Sequence, residues 1–267
     1  MASPTQSEQT TKFRALHRGF LLLANGWDAA SARMAEEAGD QAVASSSAAV
    51  AWCHGYADGE AMPHEVVMTA TREMLRVITV PLTVDSEAGY SSDPGEVAAY
   101  VSALIGLGVA GINIEDGRDP PELLAAKIKA IRATRKDIFI NARCDVYLKN
   151  LGPDDQKLAE MIRRGKLYAE AGADGFFAPG MANLADIGDV VKAVTLPVNC
   201  LVMRALPPIA DLKKIGVRRI STGAQIGCAA YGAAVRGIRQ FLDESKPDAI
   251  FANSGDCPNF NALFKPA

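Results

Sequence analysis

The residues most able to do chemistry stand in the stretch LTVDSEAGY, Leu82–Tyr90, where an apolar run ends on two carboxylates, Asp85 and Glu87, two positions apart with a glycine behind them. A lone D-x-E is most often a solvated loop. Here the same kind of ending recurs along the chain. Another apolar run ends in Asn25, followed by Trp27 and Asp28, and the next in Ser45-Ser46-Ser47. Further runs end in Glu115-Asp116 and in Asn141, Arg143 and Asp145.

Asp85, Glu87 and Glu115 on neighbouring strands would converge, joined by Asp58 from a glycine-punctuated loop after the second run. Left uncompensated, such carboxylates repel and raise one another's pKa. A divalent cation resolves the conflict, and hard oxygen ligands without His or Cys nearby point to Mg²⁺, or Mn²⁺, rather than zinc. Arg143 offers a planar fork suited to a substrate carboxylate; its alternative is a structural ion pair with Asp145 or Glu115. Ser46 and Ser47 offer hydroxyls and N–H groups to substrate oxygens, or form only a polar turn. Asp28 reads as a helix N-cap, and His54 as a solvated loop residue.

The elements that must position these groups alternate. Eight runs of strand length begin near Phe20, Ala42, Pro81, Gly111, Ile138, Gly175, Pro197 and Arg219. Helical periodicity fills the intervals, with Asp93-Pro94 as a cap followed by a first-turn proline. Gly39, Gly108 and Gly172 mark helix ends. Eight such units in about 250 residues predict an α/β chain folded as a single (β/α)8 TIM barrel, whose active site lies at the C-terminal strand ends. An open doubly wound sheet is the alternative, but no G-x-G-x-x-G follows the first strand. The reading divides the chain into a polar N-terminal tail at 1–15, the barrel at 16–244 and a C-terminal packing segment at 245–267. Phe251, Phe260 and Phe264 make that segment too apolar for a free tail.

Composition narrows the class. The chain has 267 residues, 49% hydrophobic and 22% charged, with a formal net charge of −3. The slightly acidic balance, with no basic run, argues against nucleic acid as the main partner. No apolar stretch reaches the ~18 residues of a membrane span. The start lacks the apolar core of a secretory signal, and five scattered cysteines read as reduced thiols of a cytoplasmic protein.

Taken together, NGWDAASARMAEEAG, ASSSAAVAWCHGYADGE, VPLTVDSEAGY, GINIEDG and FINARCDVYL resemble the isocitrate lyase / phosphoenolpyruvate mutase superfamily, over residues 22 to 242. The resemblance implies a TIM barrel whose C-terminal helix is exchanged between subunits, in dimers or tetramers. It also implies Mg²⁺ and a small 2-oxo or 2-hydroxy acid bound by Ser46, Ser47 and Arg143. By the same resemblance Asp85 is the direct metal ligand, Glu87 and Glu115 hold metal-bound water, and Asp58 belongs to the metal network. Asp58 and Arg143 are the residues expected to act in catalysis.

Departures from the family pattern shape the functional expectation. The Lys-Lys-Cys-Gly-His loop of the family's isocitrate-type lyases is replaced by the short segment Asp116-Gly117-Arg118-Asp119-Pro120-Pro121-Glu122, and the mutases' longer gating loop is missing. Glu87 replaces a commoner aspartate, a methylene that a water-bridged contact could absorb. Ala178-Pro179-Gly180 stands where a Glu or His is common, and Ala44 where mutases place a tryptophan. These features favour a Mg²⁺-dependent carbon–carbon lyase or decarboxylase, because decarboxylation needs an electron sink and can take its proton from water. The alternatives are a P–C bond mutase or hydrolase, and a barrel that binds metal and carboxylates without turnover. A mobile lid at 117–122 would favour chemistry, and a rigid turn there weak or lost catalysis.

Overall fold

The computed structural model describes residues 4–244, 248–251 and 254–264. Its strands are β1 (Leu21–Leu23), β2 (Asn25–Gly26), β3 (Val43–Ser45), β4 (Leu82–Asp85), β5 (Gly111–Glu115), β6 (Phe139–Arg143), β7 (Gly175–Phe177), β8 (Val198–Leu201) and β9 (Arg219–Ser221). The helices are α1 (Gln6–Leu16), α2 (Ala29–Glu37), α3 (Ser47–Cys53), α4 (His64–Val77), α5 (Pro94–Leu107) and α6 (Pro121–Thr134), then α7 (Asp154–Ala171), α8 (Leu184–Ala193), α9 (Ile209–Lys214), α10 (Gln225–Glu244), α11 (Asp248–Phe251) and α12 (Phe260–Leu263).

All strand pairings are parallel, in the order β1-β9-β8-β7-β6-β5-β4-β3-β2. The first apolar run, read as one strand, is two: β1 pairs with β9 and β2 with β3. The break falls at Ala24, whose N–H donates to Asp40 Oδ2 at 3.0 Å instead of to a neighbouring strand. One run thus serves both edges, and the sheet closes through it into a (β/α)8 barrel.

Residue alternation sorts the strands. Val84, Ile112, Ile114, Ile140, Phe176 and Ile220 pack outward against the helices in the main core. The inward face is polar in its middle layer. Asn141 Nδ2 donates to Asn113 Oδ1 at 2.9 Å, and Asn199 pairs with Ser221. Below that layer Leu21, Leu23, Ala42, Ala44, Ala110 and Phe139 form a second apolar cluster around Phe13.

Phe13 belongs to α1, so the region read as a polar tail holds a helix that closes the bottom of the barrel. Thr5 and Glu8 build a capping box at its start. Gln6 Nε2 donates to the carbonyls of Val109 and Asp137 at 2.9 and 2.7 Å, and Thr10 Oγ1 to that of Ala110 at 3.1 Å. Side-chain hydrogen bonds to strand-entry carbonyls do most of the anchoring, which is why the segment shows so little apolar periodicity. Asp28 and Asp93 cap their helices as expected, and Gly108 and Gly172 end theirs with positive φ.

At the other end α10 departs from the barrel. Gly227 and Tyr231 touch the Trp27 region, but Ile238, Phe241 and Leu242 are 58%, 49% and 68% exposed. In the segment 245–267, residues 245–247, 252–253 and 265–267 lie outside the described residues. The short α11 packs on α10. No helix among the described residues is long and apolar enough to cross a membrane.

Candidate active site

The strand ends form a cavity of about 160 Å³ at the C-terminal rim, lined by Asn25, Ser46, Ser47, Asp58, Asp85, Asn113 and Arg143, with Pro179 and Leu148 beside them. Larger hollows lie elsewhere, between α4 and α5 and at the barrel bottom. Chemistry is assigned to the smaller one because the convergent ionisable groups are there.

Asp85 ends β4, and its neighbours hold it firmly. Its N–H donates to Ser45 Oγ at 2.9 Å, while its Oδ2 accepts from Ser47 Oγ at 2.8 Å and from Ser47 N at 3.3 Å. Burial raises its pKa, against the pull of Arg143 and the Ser47 bonds, and the charge of Asp58 adds to the rise. Ser46 caps α3 through Ala49 N. The serines therefore do serve a turn, but they also orient Asp85 and face the cavity.

Glu115 and Arg143, paired in register across β5 and β6, form a buried network. Arg143 Nη1 lies 2.6 Å from Glu115 Oε2, and its Nε and Nη2 lie 2.7 and 3.1 Å from the two oxygens of Asp145. Lys149 Nζ joins both carboxylates, at 3.1 and 3.0 Å. The ion-pair alternative for Arg143 is thus real, with both partners. It still leaves a guanidinium with five N–H groups two to spare, and its side chain lines the cavity. Burial works against the Arg143 charge, but Glu115, Asp145 and Asp85 outweigh it and hold its pKa above the usual range.

The expected convergence of carboxylates is only partly met. Asp85 and Asp58 share the cavity, Asp58 from the exposed loop after α3. Glu115 is turned to Arg143 and Lys149, and Glu87 accepts from Tyr90 Oη at 3.0 Å and from Glu60 N. Burial raises the Glu87 pKa to about 7, in spite of those two hydrogen bonds. Among the described residues no three His, Cys, Asp or Glu side chains stand close enough to cage a metal unaided. The donor set fits Mg²⁺ in another way: one carboxylate, Asp85, with water and substrate oxygens completing the shell.

Sequence reasoning missed Asn113, Lys149, Glu60 and Tyr90. Asn113 was findable, because in GINIE it shares a strand face with Glu115. Lys149 was not, since nothing local links it to Glu115. His54 is exposed and does not line the cavity. The five cysteines are unpaired, and Cys200 is buried in the core.

The segment after β5 is a short turn. Asp116 is buried, accepting from Asp145 N and Arg164 Nη1 at 2.8 Å each and from the Tyr168 hydroxyl, and its carbonyl accepts from Asp119 N at 2.9 Å. The segment there is a pinned turn rather than a long lid. After β7, Gly180 has φ +85°, and a Cβ on it would stand 2.6 Å from Leu148 N. That close approach presses the Leu148 segment onto the rim.

The barrel fold agrees with what comparison finds. The sequence profile described as phosphoenolpyruvate phosphomutase matches residues 13–242. The chain belongs to the phosphoenolpyruvate phosphomutase family. Within that superfamily it is similar to 2-methylisocitrate lyase of Escherichia coli strain K12, 31% identical over 79% of this chain and 71% of the relative. Oxaloacetate decarboxylase of Bradyrhizobium sp. strain BTAi1 is 28% identical over 86% and 80%. Among solved structures, a candidate phosphonomutase from Burkholderia cenocepacia J2315 superposes with a TM-score of 0.83 at 37% identity, over 87% of this chain and all of that one.

Proposed function

We propose that this member of the phosphoenolpyruvate phosphomutase family is a Mg²⁺-dependent carbon–carbon lyase, with decarboxylation of a small 2-oxo diacid such as oxaloacetate as its favoured reaction. The observation that carries the reading is the composition of the rim cavity. It sets the Asp85 carboxylate and two free N–H groups of Arg143 around about 160 Å³, and no His, Cys or Lys side chain lines it.

Asp85 would hold the cation, with Glu87 and Glu115 reaching it at most through water. When bound, the cation withdraws electrons from the substrate's carbonyl and carboxylate oxygens as the adjacent bond breaks. The Ser46 hydroxyl supplies a hydrogen bond to those oxygens, and Ser47, whose hydroxyl and N–H both donate to Asp85, would reach them only by giving up one of those bonds. Arg143, fixed by Glu115 and Asp145, takes the distal carboxylate and sets the leaving bond's orientation. Asp58 faces Asp85 across the cavity and orders the water between them. With no side-chain acid at hand, water entering at the open rim returns the proton. A retro-aldol cleavage, which must also move a hydroxyl proton, is served less well by this lining.

A second reading, P–C bond chemistry, is favoured by the likeness to the candidate phosphonomutase from Burkholderia cenocepacia. The short turn at 116–120 weighs against it, because its cation, Arg118, donates to the Lys149 carbonyl at 3.4 Å and does not line the cavity. A barrel that binds without turnover is the third, favoured by the pinned turn at Asp116–Asp119 standing where a mobile lid would favour chemistry.

Turnover of oxaloacetate, methylisocitrate, isocitrate and phosphonopyruvate, each with and without Mg²⁺, separates the three. Oxaloacetate should lose CO₂ only with Mg²⁺, and Asp85→Ala should lose both this activity and calorimetric Mg²⁺ binding while staying folded. Turnover of phosphonopyruvate alone establishes the second reading, and no turnover of any establishes the third.

A further inference from the structure

We infer that Glu60, Glu87 and Tyr90 form a clasp that fixes the Asp58 loop over the cavity, making Glu60 and Tyr90 positioning residues of the site. The catalytic consequence rests on the function proposed above; the clasp itself does not.

Three hydrogen bonds close a ring across two segments 27 to 30 residues apart in sequence. Glu87 Oε2 accepts from Glu60 N, Glu87 Oε1 accepts from Tyr90 Oη at 3.0 Å, and Glu60 Oε1 accepts from Tyr90 N at 2.6 Å. The Glu87 carbonyl in turn accepts from Glu115 N at 2.8 Å, which ties the ring to the end of β5. Among the described residues, the Glu60 N–H makes the one backbone hydrogen bond between positions 57 and 62. Asp58 sits two residues before this tether, exposed and lining the cavity.

Backbone strain marks the same three residues. Glu60, Glu87 and Tyr90 have φ of 62°, 48° and 61°, and Asn150 is the only other described non-glycine residue with positive φ. Side chains avoid that region, and such conformations persist where surrounding contacts over-determine them. Here the strained residues bond to one another, so the conformation of each is enforced by the other two. The Tyr90 ring is held from behind by Tyr100, edge to face with centroids 5.4 Å apart.

The clasp gives a reason for glutamate at 87 that a water-bridged metal contact does not. Glu87 is 4% exposed and does not line the cavity. An aspartate from the same backbone falls a methylene short of both Glu60 N and the Tyr90 hydroxyl. The substitution that looked harmless from sequence is therefore one that releases the loop.

Hydrogen–deuterium exchange on the full-length wild-type, Glu87→Asp and Tyr90→Phe proteins tests this. The Glu60 amide, the hydrogen-bonded amide of this loop, should exchange about ten-fold faster in Tyr90→Phe, and faster still in Glu87→Asp, with β5 and β6 unchanged. Unchanged loop exchange in both variants overturns the clasp, and so does faster exchange spread through the barrel. In kinetics with the substrate found active, Tyr90→Phe should lower kcat more than it raises KM, and should have no further effect in an Asp58→Ala background. Additive losses overturn the link to Asp58. If no substrate is turned over, the functional proposal fails and loop exchange alone decides the clasp.

Discussion

Arg143 commits three of its five N–H groups to Glu115 and Asp145, so its geometry is set before any substrate arrives. Lysine would keep the charge but lose the fork. We expect Arg143→Lys to raise KM for a dicarboxylate by about ten-fold or more, equivalent to ~1.4 kcal/mol. Because Asp145 is fully buried beneath it, the same change should lower unfolding stability by about 1–3 kcal/mol. Steady-state kinetics and denaturant midpoints read the two effects separately. A stability loss with unchanged KM would reduce Arg143 to a structural ion pair.

Among the elements, α1 decides how the barrel bottom is sealed. His17 at its C-terminal end stacks on Phe139 with centroids 4.1 Å apart, and its Nδ1 lies 2.8 Å from Phe13 O. Burial, with the charges of Arg219 and Arg14, pushes the imidazole down to about 3. The unfolded chain takes up a proton near pH 6.5 that the folded chain refuses until about pH 3. Stability from this residue is therefore complete above pH 6.5 and falls by about 1.4 kcal/mol per pH unit below it. His17→Phe keeps a ring against Phe139 and removes the titration. Between pH 7.5 and 5 the wild type should lose about 2 kcal/mol more than this variant in urea unfolding. Equal losses would show that the helix admits water to His17.

For the whole molecule, the question is what covers α10. Val235, Ile238, Phe241 and Leu242 leave a contiguous apolar face exposed, of the kind that marks an interface. The barrel bottom is already filled by α1. We propose that α10 packs on a second copy, as exchange of this helix between subunits requires. Light scattering at micromolar concentration should give a dimer or tetramer, and Ile238→Glu should give a smaller species with unchanged barrel circular dichroism. A monomeric wild type would defeat the proposal.

Much of this was legible in local patterns. The alternation of short apolar-rich runs with capped helices determined the barrel, because the helix-facing side of every buried parallel strand must be apolar. Asp28, Asp93 and Gly172 announced helix ends, since capping is a contact between near neighbours in sequence. Asp85, Glu115 and Arg143 were placed at the rim by their position just past the apolar stretches. Three things were decided only by tertiary structure. The first run split at Ala24 because Asp40, 16 residues away, takes its N–H. The polar start became a helix because carbonyls just before β5, 100 or more residues distant, accept from Gln6 and Thr10. And the direction in which each carboxylate turns, Glu115 to Arg143 and Lys149 and Glu87 to Glu60 and Tyr90, was set by partners brought from other loops. Sequence determines where a charged group stands along its strand; only the folded neighbours determine what its oxygens meet.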